Sequence, residues 1–124
     1  MKIALKVKQY FKDDFKTALM VFKDESGLQP TRMGYNCIYN GVSGACKPED
    51  RGLAWSVDCG VAQLNFIGKE CPPEAFDVDW NLKQAKVKQA RRGFTPWVVF
   101  NSKRYLRNED WFNNINSQLA YVQN

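Results

Sequence analysis

Apolar residues recur at helical spacing over the first part of the chain. Leu5, Phe11, Phe15, Ala18, Leu19 and Phe22 are separated by lysines and aspartates, a period that predicts one long amphipathic helix over residues 3 to 26. Gly27 and Pro30 end it. Periodicity is then lost. Gly34, Gly41, Gly44, Pro48 and Gly52 punctuate residues 27 to 57 and predict a loop-rich region holding a small hairpin or sheet. Gly60 to Phe66 fits either a strand or a short helix. Helical patterning returns from Trp80 to Arg92, with Asp77 or Asp79 as its cap and Gly93 as its stop. Thr95 and Pro96 read as the N-cap and first-turn proline of a short helix through Trp97 to Phe100. A last helix is expected from Asn108 to Tyr121, with Trp111, Ile115, Leu119 and Val122 inward. Neither an internal repeat nor a low-complexity segment interrupts this order. The predicted class is α+β, mostly helical: a single domain over residues 1–124 with a long N-terminal helix, a small loop-rich or β region and C-terminal helices.

Composition narrows the chemistry more than the fold. At 124 residues, 44% hydrophobic and 25% charged, the chain can bury a core and falls outside the disordered, collagen and coiled-coil ranges. It has no histidine, which removes Ser-His-Asp and Cys-His catalysis and every metal site that needs imidazole. Carboxylates, lysine, tyrosine, cysteine and backbone are what remain, and no cofactor is expected. Eighteen Lys and Arg against thirteen Asp and Glu give +5, and eight of the cations fall between Trp80 and Asn108 with no acidic residue among them. That segment is +8 and the remainder −3. It reads either as a solvated helix face or as an attraction to polyanions such as nucleic acid or a bacterial envelope.

Cys37, Cys46, Cys59 and Cys71 include no CxxC pair. Two disulfides, and so an oxidising destination, fit them better than zinc, with four reduced buried thiols as the alternative. Three pairings are possible; the local ones, Cys37 with Cys46 and Cys59 with Cys71, are the first expectation. Lysines at positions 2, 6 and 8 occupy the place of a signal peptide's apolar stretch, and the longest apolar run, Ala18 to Phe22, is too short to span a membrane. The expected location is extracytoplasmic or secreted, reached through a removed leader or, for a phage-encoded protein, by release to the wall.

Two carboxylates stand out. On a helix, Glu25 follows Phe22, Val21 and Ala18 at i−3, i−4 and i−7, which puts it on the core-facing side of the last turn. Burial and the negative end of the helix dipole both raise a carboxyl pKa, as a general acid requires. A frayed end that turns Glu25 to water beside Asp24 is the competing reading. Asp58, in Ser56-Val57-Asp58-Cys59-Gly60, sits where a loop re-enters regular structure and would suit a turn cap. Taken together, an apolar-flanked glutamate and a polar-flanked aspartate are the two environments that glycoside hydrolysis combines.

Glu25-Ser26-Gly27 closing a helix, followed by Ser56-Val57-Asp58-Cys59-Gly60-Val61-Ala62-Gln63-Leu64-Asn65, resembles the lysozyme-like superfamily of muramidases and lytic transglycosylases. Phe76 to Leu82, Gly93-Phe94-Thr95-Pro96-Trp97 and Lys103-Arg104-Tyr105 resemble its later motifs, in the same order. The resemblance runs from Phe15 to Tyr105. It implies a lysozyme-like fold and cleavage of the β-1,4 bond between N-acetylmuramic acid and N-acetylglucosamine, with Glu25 as general acid and Asp58 as second carboxylate. Ser26, Gln63, Asn65, Trp97 and Tyr105 are the substrate-binding residues it suggests. Core packing competes for Trp97, and hydrogen bonds that shape the cleft compete for Gln63 and Asn65. Tyr35 and Trp55 are further candidates for stacking on sugar. The stretch from Glu25 to Asp58 is longer than in compact animal enzymes and carries its own cysteines. A lytic transglycosylase using Glu25 alone is therefore the alternative, with a non-catalytic wall-binding module as the third reading. The implied partner is bacterial peptidoglycan, with no nucleic acid and a monomeric protein.

Overall fold

The structure, a computed structural model, describes residues 2–122. Met1, Gln123 and Asn124 lie outside them, as does the side chain of Val122, one of the four expected inward. The expected long helix is two. α1 spans Lys2–Phe11 and α2 spans Phe15–Ser26, with a 3-10 turn at Lys12–Asp14 between them. Lys12 takes a left-handed backbone, φ 49°. The apolar period runs on unbroken through this point, so the interruption leaves no gap in the pattern. The break falls at Lys12-Asp13-Asp14, where Asp14 turns outward to accept from Gln89 Nε2 at 3.0 Å, and the two halves have different partners. Lys6 and Tyr10 of α1 both reach Asp79, at 2.6 and 3.0 Å, whereas α2 packs against the C-terminal elements.

Gly27 ends α2 as expected, in the left-handed conformation (φ 64°) with its N–H on the Lys23 carbonyl at 3.0 Å. The loop-rich region folds into a four-stranded antiparallel sheet, β1 Met33–Tyr39, β2 Val42–Ala45, β3 Ser56–Cys59 and β4 Leu64–Ile67, in the order β2-β1-β3-β4. Gly60 to Phe66 therefore contains a turn and then a strand. Both local cysteine pairings form: Cys37–Cys46 and Cys59–Cys71, with Cα atoms 4.9 and 5.9 Å apart.

α3 runs Val78–Arg92, and Asp77 is its cap, accepting from the Trp80 N–H at 2.8 Å. Asp79 instead serves the contacts with α1. The next helix starts later than expected: α4 is Val98–Asn101 with Trp97 at its N-cap. The Thr95 hydroxyl turns back to the Arg92 carbonyl, 2.8 Å, and closes the end of α3 rather than opening α4. α5 spans Glu109–Val122. Its innermost residues are Phe112 and Leu119, while Trp111 and Ile115 are only half-buried at the edge of the core.

The main core joins α1, α2 and the C-terminal segments through aromatic contacts. Phe11 meets Phe22 edge-on at 5.4 Å, Phe22 meets Trp97 at 5.7 Å, and Phe94 lies 5.8 Å from Trp97. A second, smaller cluster of Val57, Cys59 and Ala75 sits on one face of the sheet. Asn81 of α3 links the two. Fully buried, it donates to the Cys59 and Ala75 carbonyls and accepts from the Ala62 N–H, each at 2.9 Å. Gly60, at φ 78°, passes so close that a Cβ there would collide with the Asn81 amide and the Ala75 carbonyl.

Asn81→Ala leaves three buried backbone groups without partners. Because each such group costs on the order of 1–3 kcal/mol, urea denaturation is expected to show a loss of about 3 kcal/mol or more.

Candidate active site

Glu25 projects from the last turn of α2, half-buried, beyond the fully buried Ala18, Val21 and Phe22. Burial, first, pushes its carboxyl up to about 7. The charges of Asp58 and Asp24 add to the rise, while the Val99 backbone N–H and Arg104 oppose it. The neighbouring Ser26 fixes this end of the helix. Its buried hydroxyl donates to the Val61 carbonyl at 2.6 Å, with the Phe22 carbonyl 3.2 Å away, and accepts from the Leu28 N–H at 3.0 Å.

Asp58 comes from β3, in register with Gly34 of β1 and Asn65 of β4. Its carboxylate is held from two sides: Asn36 Nδ2 donates to Oδ2 at 3.1 Å and Asn65 Nδ2 to Oδ1 at 2.9 Å. The same two amides give their other hydrogens to Ser56 Oγ, at 3.0 and 3.1 Å. Gly34 leaves the space beside Asp58 open; a Cβ there would press on Gln63 Oε1 at 3.2 Å.

A cleft of about 290 Å³ brings Glu25 and Asp58 together. Of the residues named from sequence, Gln63, Asn65 and Trp97 also line it, whereas Ser26 and Tyr105 do not. Ser26 is a positioning residue for α2. Tyr105 stacks on Phe100, centroids 5.3 Å apart, against the core. Gln63 has a left-handed backbone (φ 52°), and its amide N–H groups are spent on the Arg32 and Gly60 carbonyls at 3.0 and 2.9 Å. Trp97 is buried and donates its indole N–H to the Ala62 carbonyl at 2.8 Å, so it packs into the core while also lining the cleft. Tyr35 points to the opposite face of the sheet from Asp58, since neighbouring strand positions alternate. Trp55 is exposed, with its indole N–H on Ser43 at 3.0 Å, and also lies outside this cleft.

Sequence reasoning missed Asn36, Arg104, Lys88 and the Val99 backbone N–H. Asn36 lies in the unpatterned region, and its pairing with Asp58 depends on strand register. Arg104 and Lys88 line the cleft; Lys88 was visible only as net charge, and Arg104 only as part of the Lys103-Arg104-Tyr105 motif, with no role of its own. Among the described residues no group of three or more carboxylate or thiol side chains comes together to hold a metal ion, and no helix is long and apolar enough to cross a membrane. Comparison with protein-family models, with curated proteins and with solved structures returned no match.

A raised carboxyl pKa penalises the folded state once the group ionises. With a folded value of about 7 against 4.5 in the open chain, the folded state binds the extra proton between those values, so stability falls as pH rises through that window. Glu25→Gln should therefore gain thermal stability over the parent between pH 5 and pH 8. A difference in melting temperature that stays flat across this range would show that Glu25 does not titrate near 7.

Proposed function

We propose that the protein is a muramidase that cuts the β-1,4 bond between N-acetylmuramic acid and N-acetylglucosamine in bacterial peptidoglycan. The observation that carries this reading is the pairing, across one cleft, of a half-buried glutamate whose carboxyl is pushed up to about 7 with an aspartate clamped by two amides. Different environments for two carboxyls are what separate the acid from its anionic partner in glycoside cleavage. In this mechanism Glu25 gives its proton to the glycosidic oxygen as the C1–O bond breaks. Asp58 stabilises the positive charge that develops at C1, as nucleophile, as counter-ion or by orienting water. The Glu25 carboxylate then takes a proton from the attacking water and returns to its acid form.

The lytic transglycosylase alternative draws on the engagement of both Asp58 oxygens by Asn36 and Asn65, which suits a fixed electrostatic role better than attack at C1. There Glu25 protonates the same leaving oxygen, and its carboxylate then accepts the proton of the muramyl 6-hydroxyl, which closes on C1 as a 1,6-anhydro product. Two disulfides and the lack of a membrane-spanning helix among the described residues are compatible with work outside the cytoplasm at the wall.

Glu25→Gln is expected to lower wall lysis at least about 100-fold with the fold retained, the usual scale of general-acid catalysis; lysis within a few-fold of the parent sinks the assignment. The acid must be protonated, so activity should be present below pH 7 and decline as pH rises through about 7. Asp58→Asn separates the two routes. Severe loss with reducing ends supports the hydrolase, whereas retained activity with 1,6-anhydro muropeptides in the mass spectrum supports the transglycosylase.

A further inference from the structure

A second cavity, larger than the cleft of Glu25 and Asp58, lies elsewhere on the molecule. It is a hollow of about 530 Å³ whose lining includes Met33, Tyr35, Arg51, Lys69, Glu70 and Phe76. In the register of β1 and β3, Tyr35 opposes Val57 while Gly34 opposes Asp58, so the two hollows back onto opposite faces of the same strands. Half-buried Met33, Tyr35 and Phe76 supply an apolar floor, and exposed Arg51, Lys69 and Glu70 supply a charged rim.

We propose that this hollow binds the peptide stems of the wall polymer, taking their carboxylates on Arg51 and Lys69 and an ammonium group on Glu70. The ligand class rests on the muramidase reading of the opposite face; the charge pattern itself is independent of it.

Three observations lead there. The Arg51 guanidinium lies over the Tyr35 ring, 5.4 Å from its centroid. That cation–π contact places the Arg51 charge over the apolar floor, where a guanidinium suits a carboxylate. Among the described residues, Arg51, Lys69 and Glu70 take part in no ion pair. Two cations and one anion around an apolar floor complement a short peptide with two carboxylates, one amine and small side chains, whereas Glu70 would repel the phosphates of a nucleic acid.

Each wall is also fastened by a disulfide. Cys37–Cys46 ties β1 to the start of the segment that carries Arg51. In that segment Asp50 accepts from the Tyr39 hydroxyl at 2.6 Å. Cys59–Cys71 ties β3 to the loop of Lys69 and Glu70, and Cys71 lines the hollow itself. A site with both walls cross-linked loses little conformational entropy on binding.

The test uses the full chain and the synthetic tripeptide N-acetyl-L-Ala-γ-D-Glu-L-Lys, whose blocked N-terminus leaves two carboxylates and one amine, followed by nuclear magnetic resonance. Added tripeptide should shift the Met33 methyl and the Tyr35 and Phe76 ring signals while leaving the Trp97 indole unmoved. Arg51→Gln with Lys69→Gln, both at exposed positions, should weaken binding roughly tenfold or more, and Arg51→Lys should restore only part of it. In parallel, the double variant should cleave amidase-stripped, peptide-free glycan as the parent does, and intact wall more slowly. No shift at millimolar tripeptide, shifts centred on the Trp97 indole, or unweakened binding by the double variant would each overturn the proposal. Binding at Tyr35 by a protein that cleaves neither polymer would sustain it and remove the muramidase reading instead.

Discussion

The passage from Cys59 to Gln63 is where the helical half and the sheet are joined, and it imposes the constraint on which the rest depends. Here the chain turns inside the protein, with Cys59, Gly60, Val61 and Ala62 all buried, so its backbone polar groups cannot turn to water. Buried groups of this kind must find protein partners, and side chains from separate elements supply them. Asn81 of α3 takes the Cys59 carbonyl and the Ala62 N–H, Ser26 of α2 takes the Val61 carbonyl, and the Trp97 indole takes the Ala62 carbonyl. Gln63 closes the turn on the Gly60 carbonyl. Any displacement of α2 or α3 against the sheet would strand one of these groups. The position of Glu25 opposite Asp58 follows from that, because Ser26 is the next residue after Glu25 and Asp58 the residue before Cys59.

The same burial sets the electrostatics. Glu25 is half-withdrawn from water by the packing that holds α2 in place, and its neighbours pull in both directions. Asp24 shows how the basic segment is used. Its side chain is only 2% exposed; Arg107 and Asn108 both hold Oδ1, at 2.9 and 3.1 Å, while Oδ2 is buried without a partner. A carboxylate so placed beside Glu25 favours the protonated form of its neighbour. Arg107 offsets part of the cost of burying it, while Arg104 and Lys88 line the cleft and Lys86 lies over the Phe11 ring at 5.4 Å. The +8 segment is therefore not one solvated face. Several of its charges are assigned to individual contacts within the domain.

What could be read from the chain beforehand was what local pattern determines. The existence of α3, its end at Arg92 before Gly93, the Gly27 stop and the core-facing side of Glu25 follow from spacing and capping chemistry within a few residues. The start of α3 lies two residues earlier than expected, and the choice of Asp77 over Asp79 as its cap was open. The break at Lys12 did not show, because both halves keep the same apolar period and only their partners differ. The delayed start of α4 was hidden likewise: Thr95-Pro96 has the chemistry of a helix opening, but its hydroxyl closes the preceding helix. In the site, Glu25 and Asp58 were visible from their flanks. Asn36 was not, because only the pairing of β1 with β3 brings it beside Asp58. Ser26 was named as a substrate contact; nothing in its flanks signals that its hydroxyl serves the buried Val61 carbonyl.

The sheet makes the division of labour between its faces depend on register. Asn36, Ser56, Asp58 and Asn65 meet on one face; Tyr35, Val57, Cys59 and Phe66 lie on the other. A slip of one residue between β1 and β3 would exchange these sets and turn Val57, rather than Asp58, toward Glu25. Three of the four strands are only four residues long, too short to enforce their register by backbone pairing alone. Cys37 and Cys59 both belong to the apolar face, and their bridges to Cys46 and Cys71 close loops whose entropy is worth about 2–3 kcal/mol each. A slipped β3 would have to carry Cys59 away from Cys71, so the cross-links oppose the slip as well as the unfolding. The cysteines thus act on the candidate site from the far side of the sheet: by holding the apolar face in register, they keep Asp58 on the face that meets Glu25.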